Sequence, residues 1–214
     1  MNFRSAFACA VLAAGVPRAF ALAQGGAIGG TITVAGGAVG EAVVYLVAAS
    51  PSTPATVAGE AEMDQRSLKF VPRVAVVSPG STVAFINSDR VMHNVFHPPK
   101  AGSAFDLGLF GPGERRRFTF KNEGAFVVFC HVHPEMVGYV VVLDTPWRTV
   151  SDDSGHFSFA NVPAGSYVLR TWHPRFEEHH QQVVATAGER THVEITLTHG
   201  VPADPHVGAA GKPY

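Results

Sequence analysis

The chain is poor in cysteine, in charge and in long apolar runs. Of its 214 residues only Cys9 and Cys130 are cysteines, and 15% are charged. Sixteen Lys and Arg stand against seventeen Asp and Glu, for a formal net charge of −1. That balance excludes the strongly basic surface that nucleic acids require. No apolar run approaches the roughly 20 residues that span a bilayer, so no membrane-spanning helix is expected. Long stretches with apolar residues at helical spacing are missing too. So are a Ser-His-Asp arrangement, a glycine-rich phosphate loop and a paired-carboxylate pattern, which argues against the common hydrolytic and nucleotide-dependent chemistries.

What the first residues do contain is a targeting pattern. Met1 to Arg4 give a short positive start, Ser5 to Val16 are mostly apolar, and Pro17 and Ala21-Leu22-Ala23 follow. A short apolar run ending in small residues predicts a secretory signal peptide over 1–23 and a protein that is periplasmic or otherwise exported. Cys9 as an acylated lipoprotein cysteine is the alternative, but only eight residues precede it. Removing 1–23 leaves roughly 190 residues, enough for one large or two small domains. It also leaves Cys130 alone in an oxidising compartment. With no internal partner for a disulfide, that thiol must be buried, catalytic or bound to metal.

Between the glycines and prolines, most segments are short and rich in β-branched and aromatic residues, the pattern of an all-β sandwich protein. Strands are expected over Thr31–Val34, Ala42–Val47, Lys69–Val71, Arg73–Val77, Thr82–Asn87, Arg116–Phe120, Ala125–Cys130 and Gly138–Leu143. Further ones are expected over Arg148–Val150, His156–Ala160, Ser166–Trp172, Gln181–Val184 and Thr191–Leu197. The Ser50–Ala55 stretch reads as a linker and Asp144-Thr145-Pro146 as a second joint. The residues from 199 to 214, with three prolines and little to pack, read as a disordered tail.

The most informative segment is Cys130-His131-Val132-His133-Pro134-Glu135-Met136, directly after an apolar strand. It offers a thiolate, an imidazole and a thioether at three-residue intervals, and a loop leaving a strand end can turn all three toward one point. A second imidazole is available at His93, 37 residues upstream of Cys130. Two imidazoles, a thiolate and a thioether form a soft donor set that suits a blue-copper centre with Met136 as the long axial ligand. Structural zinc takes four Cys or His ligands, and no second cysteine is left to supply them. Each residue taken alone has a plainer reading: Cys130 buried, His133-Pro134 a turn, Met136 core.

A family resemblance rests on the same stretch. Phe70-Val71-Pro72, the Gly80–Asn87 run, His93-Asn94-Val95-Phe96, Gly113-Glu114 and the Gly124–Cys130 run resemble the consecutive signatures of plastocyanins and amicyanins. The Cys-x-x-His-Pro-x-Met interval is more similar to amicyanin. With Phe105-Asp106-Leu107-Gly108-Leu109-Phe110, the segment also resembles bacterial plastocyanin-like proteins of the methylamine utilization type. The resemblance implies a cupredoxin Greek-key β-sandwich over 60–145 holding one type 1 copper on His93, Cys130, His133 and Met136. It further implies that Asn94 ties the two ligand-bearing loops together, where the plainer alternative is a turn residue bonding its own backbone. His97 and His131 match no ligand position; His131 reads as a solvated imidazole pointing away from the metal, with a place on a docking surface or at a second metal as alternatives, and Asp106 and Glu135 read as exposed charges.

Asp152-Asp153-Ser154-Gly155-His156-Phe157-Ser158-Phe159 and Val162-Pro163-Ala164-Gly165-Ser166-Tyr167-Val168-Leu169 resemble carboxypeptidase regulatory-like domains, which are small transthyretin-like β-sandwiches. Their first two strands are matched only far upstream, around Gly30–Val34 and Gly40–Leu46. A discontinuous sandwich over 24–57 and 146–198, interrupted by the copper domain, is therefore expected. Trp172, His173, His179 and His180 read as a surface loop with Trp172 turned inward, and Arg115-Arg116-Arg117 as a solvated strand edge. The function expected is single-electron transfer, not catalysis, with a redox partner such as a c-type cytochrome or a periplasmic dehydrogenase or oxidase. A copper carrier or store, and a β-sandwich binding module with a vestigial site, remain alternatives.

Overall fold

The computed structural model describes residues 25–49, 56–99 and 104–198. The expected signal peptide, the body of the Ser50–Ala55 linker and the tail lie outside them. Seventeen strands occupy the described residues. They are β1 Gly26–Val34, β2 Gly37–Ala38, β3 Val43–Ala48, β4 Glu60–Gln65, β5 Phe70–Val71, β6 Val74–Val77, β7 Ser81–Asn87, β8 His93–His97 and β9 Phe105–Phe110. Then follow β10 Arg115–Phe120, β11 Gly124–Phe129, β12 Val137–Val142, β13 Arg148–Val150, β14 His156–Val162, β15 Gly165–His173, β16 Phe176–Ala185 and β17 Arg190–Thr196. No helix among the described residues is long and apolar enough to cross a membrane.

Four sheets form, and three apolar clusters lie between them. The first sheet runs β14-β1-β17 with β2 beside β1, and the second runs β13-β3-β15-β16. Ile28, Ile32, Phe157, Phe159 and Ile195 of the first sheet meet Val44, Leu46, Leu169 and Val183 of the second. The third sheet, β6-β12-β11-β8-β9, and the fourth, β10-β7-β4-β5, enclose the cluster that contains Met63, Phe85, Phe120, Val128, Val140, Cys130 and Met136. Between the second and third sheets lies a smaller cluster of Val43, Tyr45, Val74, Tyr139 and Val141, with Trp172 packed against it.

This stacking explains the sequence runs that do not alternate. Successive side chains of a strand point to opposite faces, and β3 and β12 are covered on both. Val44 and Leu46 of β3 enter the first cluster while Val43 and Tyr45 enter the middle one. Val140 and Val142 of β12 face the cluster that contains Cys130 and Met136, while Tyr139 and Val141 face the middle layer. A strand buried on both faces reads as a continuous apolar run. Polar links close the same interface: Arg73 Nη1 donates to Glu41 Oε2 at 2.7 Å, and Arg148 Nη2 donates to Ser78 Oγ at 2.8 Å.

Strands early and late in the chain share sheets. β1 lies antiparallel to β14 and parallel to β17, while β3 lies between β13 and β15. The expected turn ahead of β14 is built as its residues require. The Asp152 carboxylate accepts the amide N–H groups of Ser154 and His156 at 2.9 Å each. Gly155 takes φ +77°, where a side chain would meet the Ile32 carbonyl.

One expectation about this part of the chain is corrected: His173 is a residue of β15, and His179 and His180 are residues of β16, not of a surface loop. Trp172, in β15, is turned inward as expected, its ring meeting Tyr139 edge-on at 5.4 Å. His173 is buried and stacked on Phe176 at 4.6 Å, while His179 Nε2 lies 3.0 Å from Gln181 Oε1. Burial, aided by the charges of Arg175 and Arg73, pushes the His173 imidazole down to about 4. An unfolded histidine titrates near 6.5, so between these values the unfolded chain binds the extra proton. Stability from this residue is complete above about pH 6.5 and is lost as pH falls toward 4, by up to about 3 kcal/mol. His173→Leu is expected to flatten that decline in urea unfolding between pH 7 and pH 4.5. An unchanged pH dependence would contradict the assignment.

Candidate metal centre

Cys130 directly follows β11 and begins the loop into β12, and His133 lies three residues further along it. His93 opens β8, the neighbour of β11 in the same sheet. The three side chains converge. Cys130 Sγ is 3.8 Å from His93 Nδ1 and 3.7 Å from His133 Nδ1, and the two Nδ1 atoms are 3.0 Å apart. Among the described residues this is the group of His, Cys, Asp or Glu side chains able to hold a metal ion. The point equidistant from the three donor atoms lies about 2.0 Å from each, the length of a metal–nitrogen bond and about 0.3 Å short of a metal–sulfur bond. The donor set therefore fits a metal of copper's size and softness.

Cys130 and His93 are fully buried, while His133 keeps partial contact with solvent. Met136 is buried in the cluster that also contains Cys130, and its amide N–H donates to the His133 carbonyl at 3.0 Å, closing the loop as a tight turn. Exposed apolar side chains sit in the same ligand-bearing segments: Val91 and Met92 before His93, and Val132 before His133.

Second-layer contacts fix both loops. Asn94 Oδ1 accepts the His131 amide N–H at 2.7 Å, the Asn94 amide N–H donates to Cys130 Sγ at 3.5 Å, and Asn94 Nδ2 donates to Asp106 Oδ1 at 2.8 Å. One residue thus joins β8, β9 and the cysteine loop. The His93 ring is oriented from behind. Its Nε2 lies 3.0 Å from Asp89 Oδ2, which turns Nδ1 toward the cysteine. Asp89 also accepts the amide N–H groups of Ser67 and Leu68 at 2.6 and 2.9 Å. Burial pushes the Asp89 carboxyl up, but those two amides and the His93 contact outweigh it and hold it below the usual carboxylate range. A carboxylate there accepts a proton-bearing Nε2, so the lone pair of His93 belongs to Nδ1.

Asp89 is absent from the sequence reading. Its signal is the spacing of four to His93, which an Asp in a turn supplies too often for sequence alone to single it out. The expectation of a solvated imidazole at His131 is corrected: it stacks on Phe96 at 3.6 Å with its Nε2 3.2 Å from Asp106 Oδ2. His97 is buried with Nδ1 2.7 Å from the Val127 carbonyl. The arginine edge is neutralised: Arg115, Arg116 and Arg117 lie 3.6, 3.2 and 2.9 Å from Glu62, Glu114 and Glu60.

Residues 57–143 match the family model described as copper binding proteins, plastocyanin/azurin family. Residues 135–198 match the carboxypeptidase regulatory-like domain. Among solved structures, the chain is similar to a purple cupredoxin from Nitrosopumilus maritimus at 26% identity, covering 39% of this chain and 99% of that one, with a TM-score of 0.36. It is similar to a mutant of amicyanin in its Cu(I) form at 26% identity, covering 46% of this chain and 99% of that one, with a TM-score of 0.38. A copper-containing nitrite reductase from Thermus scotoductus SA-01 matches at 25% identity over 46% of this chain, with a TM-score of 0.38, and this chain spans only 25% of that enzyme. Over 57–143 the chain is thus similar to the copper-binding plastocyanin/azurin family, and over 135–198 to carboxypeptidase regulatory-like domains.

Proposed function

We propose that this protein is an exported electron carrier whose single type 1 copper is held by His93, Cys130 and His133 in a trigonal set, with Met136 as the axial thioether. The observation that carries the reading is the triangle of one thiolate and two imidazole nitrogens, all within 3.8 Å of one another. Copper bound there supplies a one-electron couple between Cu(II) and Cu(I). The chain's own residues supply rigidity. Asp89 orients His93, Asn94 ties the cysteine loop to β8 and β9, and the Met136 amide closes the ligand turn. Held this way, the donors need move little between the two oxidation states. With four protein donors no open position is left for a substrate, which favours electron transfer over catalysis.

Partial exposure of His133 beside Val132, with Val91 and Met92 on the neighbouring segment, supports docking of a redox partner at this end. A c-type cytochrome or a periplasmic dehydrogenase or oxidase fits that role. We read 24–57 and 146–198 as one interrupted sandwich hosting the copper domain at 60–145. In this reading the flanking unit covers the outer face of the third sheet and leaves the ligand end free.

Met136→Leu is expected to keep copper and raise the reduction potential, because losing a thioether donor disfavours Cu(II). Voltammetry of the loaded variant checks this, and an unchanged potential would remove Met136 from the axial role. Reversible one-electron voltammetry of the wild-type protein tests the function itself. Tight Cu(I) binding without reversible oxidation would point to copper carriage instead.

A further inference from the structure

Among the described residues, three buried side-chain polar atoms have no hydrogen-bond partner: Asp64 Oδ1 and both amide atoms of Gln65. Asp64 has a partial remedy, since its other oxygen accepts from Arg66 at 2.7 Å. Gln65 has none and is fully enclosed. A buried amide without partners is costly, and in a native protein it marks strain, function, or an ion or water that completes the site.

Its placement selects among these. Alternation along β4 puts Gln65 on the same face as Met63, which belongs to the apolar cluster containing Cys130 and Met136. Gln65 is the last residue of β4, level with Asn87 at the end of β7. Asn87 Nδ2 donates to the Val91 and Phe110 carbonyls at 2.8 and 3.1 Å, and Phe110 is paired with His93. The turn that follows Gln65 gives the Ser67 and Leu68 amides to Asp89, on which His93 rests. The unpartnered amide therefore enters the core at its ligand end.

We propose that Gln65 belongs to the copper centre, with its side-chain carbonyl turned toward the bound metal as an uncoordinated dipole from the β4 side. This rests on the reading of His93, Cys130 and His133 as the copper ligands. A bound cation is the largest charge in such a site and attracts a carbonyl oxygen. The thiolate already receives the Asn94 amide, so the sulfur does not require the Gln65 nitrogen. The unmet polarity of Gln65 costs stability in the metal-free chain and is offset when metal binds.

Gln65→Leu, close in volume, separates this from a structural role. The metal-free variant is expected to melt higher than the metal-free wild type, to bind Cu(II) about tenfold more weakly, an effect on the scale of one polar interaction, and to show a raised reduction potential. A second measurement needs no variant to fold. In glutamine-labelled wild-type protein, the Gln65 side-chain amide resonances should be shifted or broadened by Co(II) but remain sharp with Zn(II). An unchanged or lowered potential in the variant, or Gln65 amide signals unaffected by Co(II), overturns the inference. If the wild type still shows a thiolate-to-copper band in that case, the ligand assignment stands. A wild type without that band removes the ligand reading and this inference together.

Discussion

Cys130→Ser is expected to abolish the visible absorption of the copper-loaded protein while leaving the chain folded. The band requires a thiolate bound to the metal, and among the described residues Cys130 is the free cysteine. Its Sγ sits within 3.8 Å of both imidazoles, so no other sulfur can take its place without rebuilding the β11–β12 loop. A serine hydroxyl is smaller and keeps the Asn94 amide as a donor, so the loss of stability should be modest, about 1–2 kcal/mol. Optical titration with Cu(II), alongside a thermal melt, checks both halves. Intense colour in the variant would show that the metal is held elsewhere.

Gly30→Ala is expected to destabilise the first sheet by about 3 kcal/mol or more. Gly30 lies opposite Val193 in the parallel β1–β17 pair, and a Cβ built on it would fall 1.7 Å from the Val193 carbonyl oxygen. That obstacle is backbone, which cannot swing aside as a side chain would. β1 is also the strand between β14 and β17, so any shift is felt by both. Urea unfolding monitored by tryptophan fluorescence measures the loss. Loss below about 0.5 kcal/mol, the range of neutral surface changes, would contradict the packing of β1 on β17. If 24–57 and 146–198 form one unit, the copper spectrum of the folded variant should be nearly unchanged.

Gly30 also shows where sequence reading stops. The glycines from 25 to 30 look like a loop, so a strand is expected only from Thr31, yet β1 begins at Gly26. Close approach of β17, which asks for absent side chains, looks the same in a sequence as flexibility does. β4 is missed for another reason. Its residues Glu60 to Gln65 are mostly polar, and only Met63 and Gln65 turn inward, too short an alternation to separate from a loop. β8 and β9 are missed because the ligand and turn residues there mask a strand pattern.

The all-β architecture is legible because β-branched runs between glycines and prolines allow little else. The convergence of His93, Cys130 and His133 is legible because donor chemistry and three-residue spacing survive without coordinates. Supporting contacts are not. Asp89, His131 on Asp106, and Gln65 depend on which residues face one another across strands, and local sequence does not encode that pairing.

The most direct test is the optical and electron-spin spectrum of the wild-type protein titrated with Cu(II). A thiolate–copper centre predicts an intense visible band that saturates at one copper per chain and disappears on reduction to Cu(I). Weak absorption typical of copper on nitrogen and oxygen donors alone, or saturation away from one equivalent, would contradict it.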